Sequence, residues 1–441
     1  MASTYLTRTL GSSSNSGTIS MWVKRSKLGA NQYIYANLVS GTNYGIIFFD
    51  SNDKIEFMTV TSGSHTQKLL TTRQFRDTSA WYHFVFATDT DNSTATNRLR
   101  LYVNGVEETA FDTDATGSQG DTNYLFQASA TNDHVISGSA SQSDLFDGLM
   151  THVHIVPGSQ LAPTVFGETD STSGIWVPKT APSVTYTAQG SFLKFENSGA
   201  MGTDSSGNSN TWTVGGSMTQ NVDTPSNVFA TLNKSSTHGN NTLSFGSLRI
   251  AFTANTSYTN SIGTLGINSG RWYVEAKVAG ATTYYPCIGF CSMGNNTRRY
   301  YDPLYTAAHL GADEGTGYFA HGNIQKNGST DGDYATFTTG DIISMYLDLE
   351  SGTKTMKYYK NDSLIRSTTI TPVAGQFYTF GATGTSGSDI VDFNFGSGFF
   401  GTTAVTSANA DANGFGAFEY SPTLSGVNYY ALNTKNLKEF G

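Results

Sequence analysis

The feature that most constrains this chain is a recurrence of short runs in which apolar and polar residues alternate, each closed by a turn signal. In "GTISMWVKRS", Ile19, Met21 and Val23 fall on one face and Ser20, Trp22 and Lys24 on the other, the period-2 pattern of a strand. "NYGIIFFDSNDKIEFMTV" reads as two strands around the turn Asp50-Ser51-Asn52-Asp53. "WYHFVFATDTDNSTATNRLRLYVNGVEET" reads as another pair, and its Asn104-Gly105 predicts a type I′ hairpin turn. No convincing helical period interrupts these runs. Strands at such spacing predict packed antiparallel sheets, and 441 residues predict two or more all-β domains.

In "DGLMTHVHIVPG", residues 147–158, Val153 and Ile155 alternate with His152, His154 and Val156. The run is expected to be a strand with one buried and one largely polar face. His152 and His154, two apart, are expected to point the same way, as a metal pair would. With no third ligand in view, they read as a partly exposed strand face. Trp22 and Trp81 also sit inside strands, which favours core or sheet-face roles over sugar platforms. Cys287 and Cys291 are the only cysteines. In an extended "YYPCIGFC" they stand roughly 13 Å apart, too far for a disulfide, so both read as reduced thiols folded in a reducing compartment. Joining them with His309 or His321 into a metal site would require four converging ligands.

Charged residues make up 13% of the chain, about half the usual ~25%. A net charge of −9 argues against nucleic acid, which needs clustered Lys and Arg. The N-terminus, "MASTYLTRTLGSSSNSG", has no apolar stretch after a basic region, so no secretory signal is expected. No run reaches the roughly 18 apolar residues of a membrane span. Synthesis in a cytoplasm is the expectation. Residues 181–234 are rich in Ser, Thr, Asn and Gly yet contain Phe192, Leu193, Phe195, Trp212, Val214 and Phe229. A flexible linker would not carry such residues, so this segment is expected to pack along one or both domains.

Several of these stretches resemble known families. Trp81-Tyr82-His83, the alternating Phe84, Val85 and Phe86, "LRLYVNGVEE" and Asp147-Gly148 resemble laminin-G-like domains of the concanavalin A-like jelly-roll superfamily. In "GRWYVEAKV", "TTGDIISMYLDLESGTKTMKYYKNDSLI" and "IVDFNFG" the chain is similar to SPRY domains, with Asp362 where Gly is usual. "LAPTVFGE…GIWVPK", "GTDSSGNSNTWT…DTPSNVFATLN" and the closing "YALNTKNL" resemble virion-associated proteins of tailed phages, many of them marine. These resemblances imply an all-β chain of two jelly-roll β-sandwich domains joined by an irregular packed segment. The implied divisions are a laminin-G-like domain at 1–180, a connecting segment at 181–239, a SPRY-like domain at 240–402 and a tail at 403–441.

Candidate chemistry is sparse. Asp348 and Glu350 share a face in "YLDLES", but a retaining glycosidase needs two carboxylates roughly 5 Å apart across the bond. The pair reads instead as a strand end and turn, and no enzyme is expected. Acid-rich loops at 87–93 and 111–123 offer oxygens of the kind calcium takes. Neither has the D-x-[DN]-x-[DN]-G spacing, so solvated turns are expected and no cofactor is assigned. "NNTRRYYDPLYTAAH" gathers Arg298, Arg299, Tyr300, Tyr301 and Tyr305, residue types enriched at binding hot spots, between two strands where recognition loops occur. The resemblance implies a virion surface protein that binds host-surface glycan or protein from a tail fibre, spike or tail-associated assembly, as a homo-oligomer such as a trimer. The competing expectation is a capsid decoration or head-fibre protein that contacts other virion subunits.

Overall fold

The alternating runs pair into sheets because each buries one face against a partner. The computed structural model describes residues 4–129, 133–171, 174–237, 239, 241–253, 258–293 and 315–440. The chain divides into two compact units, Met1–Gln220 and Asn221–Gly441.

In the first unit a six-stranded sheet runs, in spatial order, Ser191–Leu193, Gly148–Pro157, Ser16–Arg25, Trp81–Asp89, Leu99–Val103 and Val106–Glu107. It packs on an eight-stranded sheet that includes Gln32–Ser40, Asn43–Phe49, Lys54–Thr61 and Ser64–Gln74. Ile19, Met21 and Val23 enter the core, as their spacing predicts, and meet Ile47, Phe49, Ile55 and Phe57 from the opposite sheet. Phe49 meets Phe84 edge-on at 5.8 Å and Phe57 meets Phe86 at 5.3 Å. Burying each such side chain contributes about 1.5–3 kcal/mol. The hairpin turn at Asn104-Gly105 has φ of 49° and 82°, the I′ pattern the sequence predicts.

One end of this core holds a buried ion pair. Arg25 is 1% exposed, lies 4.1 Å above the Phe49 ring and donates to Asp53 Oδ1 at 3.0 Å and the Phe75 carbonyl at 2.7 Å. Asp53 sits in the predicted turn with φ of 64° and also accepts the Gly29 N–H at 2.8 Å and Arg76 Nε at 3.0 Å.

The outer face of the six-stranded sheet corrects one expectation. Strand Gly148–Pro157 is buried on both faces from Val153 onward. The simple alternation also fails, because the register against Ser16–Arg25 shifts between Thr151 and His154. His152, with φ of 47°, is the extra residue of this bulge. His154, 1% exposed, stacks on Phe192 at 3.8 Å and is hydrogen-bonded to the Tyr186 hydroxyl at 2.6 Å. Phe166 and Tyr186, from the chain that follows the strand, complete this second layer with Val85, Tyr102 and Val156.

What fixes that following chain is Asp204. Its carboxylate accepts the N–H groups of Phe192, Ser206 and Asn210, each at 2.8 Å, and the Ser206 hydroxyl at 2.7 Å. The loop so formed drops Trp212 into the core, where it is 2% exposed and donates to Ser191 Oγ at 2.9 Å. A Cβ at Gly202 would stand 1.8 Å from the Trp212 carbonyl, so only glycine lets the two backbones meet there. The Ser/Thr/Asn-rich segment thus packs on the first unit through Leu193 and Trp212, and its last part packs in the second unit, where Phe229 joins Tyr273 and Phe418.

In the second unit, Arg271–Gly280 lies between Ile390–Asn394 and Ile342–Asp348 in an eight-stranded sheet. The facing six-stranded sheet contains Thr259–Ile262, Tyr378–Gly384, Cys287–Ser292 and Thr316–Phe319. Trp272, Val274, Ala276 and Val278 point into the core between them. Tyr273 points the other way and packs with Phe418, Tyr429 and Ala431 of the C-terminal tail. Tyr430–Ala431 pairs in parallel with Trp272 and Tyr273, so the tail joins the sheet. Glu275 clamps it: the fully buried carboxylate accepts the N–H groups of Glu419 at 2.9 Å and Tyr420 at 2.7 Å, the Tyr273 hydroxyl at 2.8 Å and Asn394 Nδ2 at 3.1 Å. Burial pushes this carboxyl up to about 7, against the pull of those donors.

Two outcomes follow from these buried groups. Asp53→Ala strands the Arg25 charge and is expected to cost about 3–5 kcal/mol, read as a lowered urea midpoint. The Glu275 carboxyl, raised from 4.5 to about 7, contributes stability that is complete below pH 4.5 and lost as pH rises through about 7. Urea titrations across that window should show wild type losing on the order of 3 kcal/mol relative to Glu275→Gln.

Candidate functional site

At one end of the second sandwich, loops 349–354 and 369–377 enclose a groove of about 600 Å³ with Asn268 on its rim. That volume lies in the range of small-ligand clefts. Its shape follows from local bonds. The Ile370 N–H donates to the Lys354 carbonyl at 3.0 Å, which joins the two loops. The Tyr378 hydroxyl accepts the Val373 N–H at 2.8 Å and pins the crest of the second loop. Gly375, with φ of 80°, turns the chain back toward the sheet. Asn268 is held beside Tyr378 because Ile267 and Tyr378 exchange backbone hydrogen bonds at 2.9 and 2.8 Å.

The lining combines the amides of Asn268 and Gln376, the hydroxyls of Thr353 and Thr371, the Lys354 chain and an apolar wall that includes Pro372 and Val373. No lining residue is a carboxylic acid. Val373 and Phe377 leave about half their surface exposed, at 45% and 50%. Such a surface can hold a ligand by hydrogen bonds and apolar contact, but it contains no acid to transfer a proton.

The residues singled out from sequence are distributed as follows. Arg298, Arg299, Tyr300, Tyr301 and Tyr305, with His309, lie outside the described residues. The described residues on either side of that segment border the groove region: the Met293 N–H donates to the Phe377 carbonyl at 2.6 Å, and Gly315 lines a small recess with Pro372 and Tyr378. Asp348 and Glu350 are both tied to Arg271, at 3.3 and 2.9 Å. Asp348 also accepts the N–H groups of Glu350 and Ser351 at 2.9 and 2.8 Å. Burial opposes the Asp348 charge, but Ser351, Glu350 and Arg271 together hold its carboxyl below the usual range. The pair is a strand-end turn.

His152 and His154 both reach the Phe192 ring, at 5.7 and 3.8 Å, and burial lowers the pKa of both. Their neighbour His83 accepts from Trp176 Nε1 at 2.9 Å through Nδ1, so its Nε2–H faces Ser20 Oγ at 2.8 Å. Burial holds His83 down to about 3, leaving it a neutral packing group. Trp22, 2% exposed, stacks on it at 4.6 Å, and Trp81 is 7% exposed. Cys287 is buried, which pushes its thiol well up, and neither cysteine is in a disulfide. Among the described residues no group of three or more His, Cys, Asp or Glu could hold a metal ion.

The acid-rich loops of the first unit already hold a cation of their own. Arg98, 8% exposed, donates to the carbonyls of Asn92 at 2.9 Å, Gly117 at 2.5 Å and Ser93 at 3.5 Å. Its guanidinium occupies backbone carbonyl oxygens of both loops. Sequence reasoning missed this arginine because it lies between the loops in sequence, and it missed the groove because no motif marks loop 369–377.

The family described as the concanavalin A-like lectin/glucanases superfamily, Laminin_G_3, matches residues 2–165. No curated protein matches the chain. Among solved structures, the SPRY domain of human HERC1 is 17% identical with a TM-score of 0.30, covering 37% of this chain and 96% of that one. The TRIM65 PSpry domain is 12% identical, with a TM-score of 0.30, covering 37% and 88%. A native heptameric SAP-like pentraxin from Limulus polyphemus is 14% identical, with a TM-score of 0.27, covering 36% and 70%. These are weak, partial likenesses of fold. The N-terminal part is of laminin-G, concanavalin A-like type, and the chain as a whole is built of β-sheets. Among the described residues no helix is long and apolar enough to cross a membrane.

With Arg98 in place, calcium at about 10⁻³ M, the range of extracellular modules, is expected to leave the thermal midpoint of the protein unchanged relative to chelator. Differential scanning fluorimetry checks this.

Proposed function

We propose that this chain is a tailed-phage virion surface protein, a binding module of a tail fibre, spike or tail-associated assembly that engages glycan or protein on the host surface. The observation that carries this reading is the groove at the loop end of the second unit, acid-free and beside the described flanks of the segment with Arg298, Arg299, Tyr300, Tyr301 and Tyr305. The phage-like motifs support the virion context. They are spent on attachment: "GIWVPK" delivers Trp176 to His83, and "GTDSSGNSNTW" is the Asp204 loop that seats Trp212. Many copies on a particle, as a homo-oligomer such as a trimer, make weak single sites sufficient through avidity.

A second reading, a capsid decoration or head-fibre protein held against other virion subunits, is favoured by the exposed Val373 and Phe377 beside the groove, since exposed apolar side chains suit a protein partner. Binding of the purified chain to host cells separates the two. Saturable binding that falls at least about tenfold, roughly 1.4 kcal/mol, in Arg299→Ala and Tyr301→Ala supports host recognition. A chain that binds no cells but still assembles onto particles supports the decoration reading.

A further inference from the structure

Resting on the reading of the second-unit groove as a host-surface site, we propose that it takes a carboxylate-bearing saccharide, with the Lys354 ammonium as the partner of the sugar acid. The first ground is charge. The chain carries a net charge of −9, and its partly buried arginines are committed: Arg249 to Asp392, Arg271 to Asp348 and Glu350, and Arg366 to Asp331. Lys354 lines the groove, and among the described residues its Nζ makes no ion pair or hydrogen bond. No carboxylate is among the lining residues, and the acids flanking loop 349–354, Asp348 and Glu350, are paired with Arg271, so Lys354 is the one charged side chain that the lining presents to a ligand.

The second ground is the supply of unused hydrogen-bonding groups. Among the described residues the Asn268 amide and the hydroxyls of Thr353 and Thr371 make no hydrogen bond within the protein. Gln376 spends its carbonyl on Ser292 Oγ at 3.2 Å and keeps its NH₂ free. One ammonium beside several neutral donors and acceptors matches a uronic-type ring, which offers one carboxylate among several hydroxyls. A polyacidic peptide would ask for more than one cation. Pro372 and Val373 supply an apolar wall against which the C–H face of a pyranose can lie.

The test titrates the full chain with oligogalacturonate, with the same oligomer methyl-esterified, and with an oligoglutamate peptide, using calorimetry at two salt concentrations. Host-cell binding is measured in parallel. Lys354→Gln and Asn268→Ala replace exposed or half-exposed residues and serve as probes, with unchanged thermal midpoints as the folding control. The expected result is at least tenfold tighter binding of oligogalacturonate than of its ester, a preference and salt dependence that Lys354→Gln abolishes, and weakened binding of both oligomers in Asn268→Ala. Equal binding of acid and ester, unchanged in Lys354→Gln, overturns the charge assignment. Binding of the peptide alone overturns the saccharide. Host-cell binding by wild type and both variants, with no oligomer bound, overturns this groove assignment while host recognition stands. Oligogalacturonate bound through Lys354 by a chain that binds no host cells supports the groove chemistry and overturns host recognition.

Discussion

Carboxylates aimed at backbone N–H groups are the interaction on which this structure depends. A β-sandwich buries one face of each sheet by packing it on the other, and the remaining faces ordinarily meet water. Here irregular chain covers an outer face in each unit, and irregular backbone can be buried only where its polar groups find partners. Asp204 accepts three N–H groups and a hydroxyl, and Asp411 accepts the N–H groups of Asn413, Phe415 and Ala431 as well as Asn436 Nδ2. Glu275 does the same from inside the sheet, and the tail strand joins beside it. Each acid exchanges its hydration for several charge-assisted hydrogen bonds.

This economy of acids shapes what the surface can do. Asp53, Asp204, Asp348, Asp392 and Asp411 are each engaged in an ion pair or a loop cap. Arg98 fills the oxygen-rich loops of the first unit in the same way. Uncommitted polar groups gather at the loop end of the second unit, where amides, hydroxyls and one ammonium line a groove. That composition suits recognition, which needs fixed donors and an apolar wall more than it needs a titrating group.

The strands were legible because their periodicity is local: Ile19, Met21 and Val23 reached the core, and Asn104-Gly105 took the two positive φ angles of its turn. Asp362 likewise took a positive φ, 66°, in its hairpin, a conformation Asp tolerates better than most residues. The aromatics of 181–234 correctly signalled packing. The burial of His154 was not legible, since a bulge cannot be seen in an alternating pattern and the layer over it comes from residues farther along the chain. The groove was not legible because its parts, Asn268, Lys354 and Gln376, stand far apart in sequence and belong to no motif.

By itself the sequence determined the all-β class, the hairpins, the inward faces and the two thiols outside any disulfide, because side-chain period, turn chemistry and extended-chain length are properties of neighbouring residues. Only the tertiary structure decided which outer faces are covered, which acids are spent on backbone N–H groups and which polar groups remain free in a groove. Those outcomes depend on partners tens to hundreds of residues away: Glu275 meets Glu419 and Tyr420, and Arg249 meets Asp392. Burial and pairing, which set each group's charge and reach, are settled only when such partners meet.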